Sequence, residues 1–182
     1  MESPAFTPFV SCDAVFSVRS VEEARSVASS FDPSVHHRVA LSLDDCHHVL
    51  DSVLRVLRRV LPRVVHLEVD LFEVDDLLFQ YCSQVEALSV SGDFVYVPSL
   101  PHLRFLFVGY VQSLSLDEQP ALEEVNSLSL AVLGESVVTR HLRTFSWDGS
   151  PVREEDYESF RSQVERCFPG VQTFFCDVLC QS

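Results

Sequence analysis

Pro101-His102-Leu103-Arg104-Phe105-Leu106 opens with a proline, steps over one residue and then sets apolar side chains three apart. The same phrase stands at Pro62-Arg63-Val64-Val65-His66-Leu67, at Pro120-Ala121-Leu122-Glu123-Glu124-Val125 and at Pro169-Gly170-Val171-Gln172-Thr173-Phe174. Val85-Glu86-Ala87-Leu88-Ser89-Val90 and Leu142-Arg143-Thr144-Phe145-Ser146-Trp147 repeat it without the proline. With the first apolar residue as anchor, the copies begin at 64, 85, 103, 122, 142 and 171, in steps of 21, 18, 19, 20 and 29 residues. Weaker copies lie upstream at Arg38-Val39-Ala40-Leu41-Ser42-Leu43 and Asp13-Ala14-Val15-Phe16-Ser17-Val18. Near 122 two registers stay open, because Val125-Asn126-Ser127-Leu128-Ser129-Leu130 fits the same template. Val111-Gln112-Ser113-Leu114-Ser115-Leu116 fits it too and is assigned to the return segment after the strand at 103. Each phrase alternates apolar and polar residues, as a short strand does. Self-similarity at a spacing near 20 residues marks units that bury an apolar face only against their neighbours.

Between the phrases the period becomes helical. Ser20-Val21-Glu22-Glu23 is a capping box that opens a helix to about residue 30. Asp44 or Asp45 is expected to cap a longer helix whose apolar residues, Val49, Leu50, Val53, Leu54, Leu57, Val60 and Leu61, recur three and four apart. Arg58 and Arg59 suit its negative C-terminal end, and Pro62 stops it. Further helices are expected over about 72–82 and from about Pro151 to Cys167, the latter with Glu154, Glu155 and Asp156 at its positive end. From about 92 to 140 the steps are too short for helices, so turns or 3₁₀ pieces are expected there.

The pattern resembles the leucine-rich-repeat family, in the irregular form found in ribonuclease inhibitor and in the substrate-binding parts of F-box proteins. The likeness runs from about 13 to 180 and rests on the first six positions of L-x-x-L-x-L-x-x-N/C-x-L. Cys82-Ser83-Gln84-Val85 and Cys167-Phe168-Pro169-Gly170-Val171 look like that group's repeat junctions. The resemblance implies one α/β domain over 1–182, with an N-terminal cap over about 1–12. It would be a short solenoid, with a curved parallel sheet and helices or turns on the convex face. The ninth template position departs from the family: Phe72, Asp93, Val111, Leu130, Ser150 and Leu179 replace Asn or Cys. The asparagine ladder is therefore missing, and backbone groups at the turns must find other partners. There is no F-box, so a ubiquitin-ligase role does not carry over. The rival architecture is a doubly wound α/β domain. It is disfavoured by short steps and by the absence of any phosphate-binding glycine motif among five glycines.

Composition narrows the function. The chain has 182 residues, 47% apolar content and a net charge of −14, enough for a continuous core and unsuited to phosphate backbones. All 13 basic residues are arginine, so neither a Schiff-base lysine nor a P-loop lysine exists. Residues 1–10 lack the basic start and apolar run of a signal peptide, and no apolar run reaches membrane-spanning length. The expectation is an intracellular protein, cytoplasmic or nuclear, whose six cysteines are free thiols.

His36, His37, Asp44, Asp45, Cys46, His47, His48 and His66 are metal-ligand types, but adjacent histidines on a helix diverge by about 100°. Cys46 beside His47 is poor geometry for a thiol and its base, and Glu154, Glu155 and Asp156 read as helix-start charges. No catalytic, cofactor or metal residue is assigned. The informative surface is the concave face implied by the resemblance, where positions three, five and seven of each phrase point outward. It carries His66, Glu68, Asp70, Phe105, Phe107, Asp148, Phe175 and Asp177. The expected function is a protein-protein interaction scaffold or recognition module using this face. Its partner would be a protein with a basic surface, not a nucleic acid or a membrane. The alternatives are a small intracellular α/β enzyme and a self-assembling structural repeat protein.

Overall fold

The computed structural model describes residues 10–74, 76–133 and 142–179. Among them are strands β1 (Ala14–Val18), β2 (Val39–Asp44), β3 (Val64–Asp70), β4 (Glu73–Val74), β5 (Ala87–Val97), β6 (Phe105–Leu116), β7 (Glu124–Ser127), β8 (Thr144–Arg153) and β9 (Thr173–Leu179). Helices are α1 (Val21–Ser30), α2 (Leu50–Leu57), α3 (Asp76–Tyr81) and α4 (Tyr157–Cys167). The strands form one open nine-stranded sheet in the order β1-β2-β3-β5-β6-β7-β8-β9, with β4 alongside β5. Every pairing is parallel, and apart from β4 the strands follow chain order.

Register explains the repeated phrase. Its fourth residues line up as Phe16, Leu41, Leu67, Leu88, Leu106, Val125, Phe145 and Phe174. Leu41 through Phe145 in this row are sealed from solvent. The sixth residues form a second row, Val18, Leu43, Val69, Val90, Val108, Ser127, Trp147 and Cys176. Strand periodicity puts both rows on one face. The helices bury Ala24, Val27, Val53, Leu54, Leu57, Leu78, Phe79 and Val164 in the same apolar cluster. The second of the two registers near 122 is excluded, because Val125 stands opposite both Leu106 and Phe145.

Several element ends differ from expectation, each for a local reason. Ser20 caps α1 as expected, its hydroxyl accepting from the Glu23 amide, while the Glu23 carboxylate accepts from the Arg19 amide. Neither Asp44 nor Asp45 caps α2. Asp44 still belongs to β2 and Asp45 turns the chain at φ 50°, so α2 starts only after a 3₁₀ turn at His47–Val49. That helix ends at Leu57, and Pro62 lies inside a separate 3₁₀ turn at Leu61–Arg63. Glu73 and Val74 pair with Phe94 and Val95, which shortens α3 at its start. Pro151 remains in β8, so α4 begins six residues later, after a 3₁₀ turn at Glu154–Asp156.

The largest difference concerns the connections at 92–97 and 109–116, on either side of the expected strand at 103, which were expected as turns, 3₁₀ pieces or a return segment. There β5 and β6 pass a bulge at Gly92 and pair again from Phe94 opposite Ser113 to Val97 opposite Leu116. This answers the question left by the missing asparagines. Turn amides bond to the neighbouring strand instead: Leu71 N–H to Ser91 O at 3.3 Å, Asp93 N–H to Phe72 O at 3.0 Å, and Leu128 N–H to Val108 O at 2.8 Å. The Ser129 hydroxyl adds a bond to Val111 O at 2.8 Å. The expected 3₁₀ piece does occur at Leu130–Leu133.

The bulge depends on glycine. Gly92 has φ +153°, and a Cβ there would lie 2.0 Å from the Leu71 carbonyl oxygen. Both backbone strain and overlap with rigid backbone follow from any side chain. Gly92→Ala is expected to cost about 2 kcal/mol or more. A urea-unfolding midpoint equal to the parent's would show that the bulge relaxes freely.

Candidate functional site

The open face of the sheet is built by the odd positions of each phrase. Ser17, Ser42, Glu68, Ser89, Phe107, Asn126, Ser146 and Phe175 are mutually in register and form its central row. Glu68, Phe107 and Asn126 are half-buried, whereas Phe175 is 57% exposed on the outer strand β9. Asp70 is exposed at the C-terminal end of β3, and Asp148 and Asp177 are exposed within β8 and β9. The Asn126 amide donates to Asp148 at 2.8 Å and holds that carboxylate in place. Burial, with Asp44 and Asp70 beside it, raises the Glu68 carboxyl above its ordinary range.

Two of the expected residues behave differently. His66 is fully buried between Ala40 and Ala87, its partners in register, and does not reach the surface. Burial pushes its pKa down to about 4, so it is neutral near pH 7 and offers a partner no charge. Phe105 is only half-exposed, because the Arg104 guanidinium lies over its ring at 5.1 Å. Sequence alternation assigns the face of such residues but not what neighbouring side chains lay over them.

A line of alternating charge runs along the N-terminal ends of the strands, and sequence reading missed it. Asp13 accepts from the His37 and Arg38 amides. Arg38 makes a two-pronged bond to Glu86 at 2.7 and 3.0 Å, bridging the start of β3. Arg104 does the same to Glu123 at 3.1 Å on both oxygens. Arg104 also lowers the Glu86 carboxyl, chiefly lowered by Arg38, and Arg143 adds to the effect of Arg104 on Glu123. These pairs are partly exposed and tie strand order more than they add stability.

At the opposite ends of the strands the sheet opens into a groove that sequence analysis also missed. One part, about 450 Å³, is lined by Asp44, Asp45, Asp70, Phe72, Gly92 and Asp93 among others. The adjoining part, about 510 Å³, shares Gly92 and Asp93 and continues past Tyr110, Leu130 and Trp147. Tyr110 is 82% exposed, Leu130 59% and Phe72 56%. The Phe72 ring meets Phe94 edge to face at 6.1 Å. Glycine inside a strand often marks a close backbone approach, so Gly92 and Gly109 were the available signals. At Gly109 a Cβ would lie 2.2 Å from the Ser91 hydroxyl oxygen.

Burial raises the Cys46 thiol to about 11 and the Cys82 thiol to about 12, which keeps both protonated at neutral pH. Cys167 is buried and donates to the Leu133 carbonyl. Cys12, Cys46, Cys82, Cys167 and Cys176 are free thiols, while Cys180 lies outside the described residues. His47 and His48 lie on a 3₁₀ turn rather than an α-helix, and their Nε2 atoms approach to 2.8 Å. They remain a pair, and no group of three such side chains is placed to hold a metal ion among the described residues. Nor is any helix there long and apolar enough to cross a membrane.

None of the family models, curated proteins or solved structures compared with the chain matches it.

Proposed function

We propose that the chain is a protein-protein interaction module of leucine-rich-repeat type. In this reading the sheet is the concave side of a short solenoid, the helices lie on the convex side, and the concave side holds the partner. The observation that carries the reading is the central outward row. It sets Phe107 and Phe175 among small polar residues on one parallel sheet, with Glu68, Asp70, Asp148 and Asp177 around them. Rigid aromatic side chains on a fixed backbone make good anchors, because little conformational freedom is lost when a partner covers them. The surrounding carboxylates, on a chain of net charge −14, select a protein with a basic surface and speed its approach.

The test is quantitative recovery of a partner from cell extract on the immobilised full chain, compared across variants. Phe107→Ala is expected to reduce recovery about tenfold, as a central anchor does. Asp148→Asn/Asp177→Asn is expected to slow association and to flatten its salt dependence. Equal recovery by the parent and every variant, or no protein retained above a blank matrix, would overturn the concave-face reading.

A further inference from the structure

The strand-end groove is not explained by the central row of the sheet. Its two parts differ in chemistry. Around Asp45, Asp70 and Asp93 it is acidic, and around Tyr110, Leu130 and Trp147 it is apolar. Gly92 and Asp93 belong to both parts, so the acidic and apolar stretches are continuous. Arg19 already neutralises Asp44 at 2.8 Å. Asp93 accepts from the Gln112 amide, a neutral donor, at 2.8 Å. Asp45 has the His47 imidazole at 3.6 Å, and no arginine is among the residues that line this acidic part. Burial, with Asp44 and Asp45 close by, holds the Asp70 carboxyl above its ordinary range. Like charges are crowded here, and a guanidinium or ammonium group would relieve the repulsion.

The apolar part argues for more than a small cation. Tyr110 and Leu130 are large side chains held in the open, and Phe72 and Phe94 meet edge to face at the rim. Leu130 is carried on a 3₁₀ turn whose start is pinned by the Ser129 hydroxyl, which also accepts from the Ala131 amide. Trp147 is fixed by its indole N–H, which donates to the Ser150 carbonyl at 2.8 Å, and forms a wall of the groove. A fixed apolar wall beside an acidic pocket is pre-organised for a ligand with both kinds of group close together.

We propose that this groove binds an extended protein segment that puts an arginine or lysine against Asp45, Asp70 and Asp93 and an apolar side chain, a few residues away, between Tyr110 and Leu130. The proposal rests on the protein-binding reading above and names a site and a ligand chemistry that the central row does not supply. Charge complementarity decides the occupant. An acidic segment, a nucleic acid or an anionic lipid surface would meet carboxylates at the groove and a net charge of −14 behind them.

The experiment pans a phage library of random dodecapeptides against the immobilised full chain. The most enriched peptide is then made with a fluorescein label and titrated by anisotropy. Enriched peptides are expected to carry Arg or Lys near Leu, Phe or Trp. Tyr110→Ala and Asp93→Asn are each expected to raise Kd about tenfold, and Phe107→Ala and Asp177→Asn less than about twofold. Tyr110 is exposed, so its loss leaves the fold intact, which circular dichroism checks. Peptides that depend on Phe107 and Asp177 but not on Tyr110 or Asp93 would overturn the groove and leave the concave-face reading standing. Acidic peptides, or no enrichment, would also overturn it, and partner recovery would then decide the concave-face reading separately.

Discussion

Phe145→Ala is expected to lower stability by about 3–5 kcal/mol, the range for removing a fully buried aromatic ring. Phe145 is sealed from solvent and stands in register between Val125 and Phe174. Its ring meets Phe168 at 5.6 Å and Phe174 at 5.9 Å. The loss thus strikes the junction of β7, β8, β9 and the end of α4 together. Rigid backbone on both sides limits collapse into the vacated space, so the cavity cost adds to the lost burial. In an array stabilised by nearest neighbours the damage spreads outward from one unit. Amide exchange in β7 and β9 is expected to speed up more than exchange in β1 and β2. Urea unfolding gives the size of the effect and hydrogen exchange its location. A variant that unfolds like the parent would show that the row of fourth positions is not the core.

Acid is expected to destabilise the protein through His66 before the carboxylates titrate. The buried imidazole has a pKa of about 4, against 6.5 for the free side chain. As pH falls through 6.5 the unfolded chain takes up a proton that the folded chain refuses until about pH 4. Protons therefore favour unfolding across that window, and the stability lost by pH 4 is about 3 kcal/mol. The ion-paired Glu86 and Glu123 act later. Their lowered pKa values contribute stability that is lost only as pH drops below the ordinary carboxylate range. Glu68 and Asp70 act in the opposite direction, because their raised pKa values favour proton uptake by the folded state. His66→Leu separates these contributions. Between pH 7 and pH 5 the parent is expected to lose about 2 kcal/mol more than the variant in urea titrations. Parallel losses in the two proteins would show that His66 is not the source.

The predicted site illustrates where sequence reading stops. Period-two alternation placed Phe107, Phe175 and Glu68 on the outward face correctly. It put His66 there too, yet His66 is buried, and it gave no sign that Arg104 covers Phe105. The groove joins Asp45 and Phe72 in turns, Asp93 in β5, Tyr110 in β6 and Leu130 in a 3₁₀ turn. Gly92 and Gly109 signal a close backbone approach, but the groove itself exists only once β3, β5 and β6 are aligned.

What the amino-acid order alone determined is the strands that carry the repeated phrase, their succession and their buried side; β4 fell within an expected helix. Each phrase carries the same apolar spacing as its neighbours, so one register buries every copy at once and a slip by one residue would expose them all. The capping box of α1 was legible for a similar reason, since donor and acceptor lie three residues apart. Only the tertiary structure decided where the strands end. The amides beyond Gly92 bond to strands about 20 residues away along the chain, and that supply of partners carries β5 and β6 past the expected turn. The same holds for the charged line at the strand starts, where Arg38 meets Glu86 across 48 residues of sequence and Arg104 meets Glu123 across 19. Local pattern governs what one segment must bury. Hydrogen-bond partners and charge neighbours are supplied by other segments, and so they appear only when those segments are brought side by side.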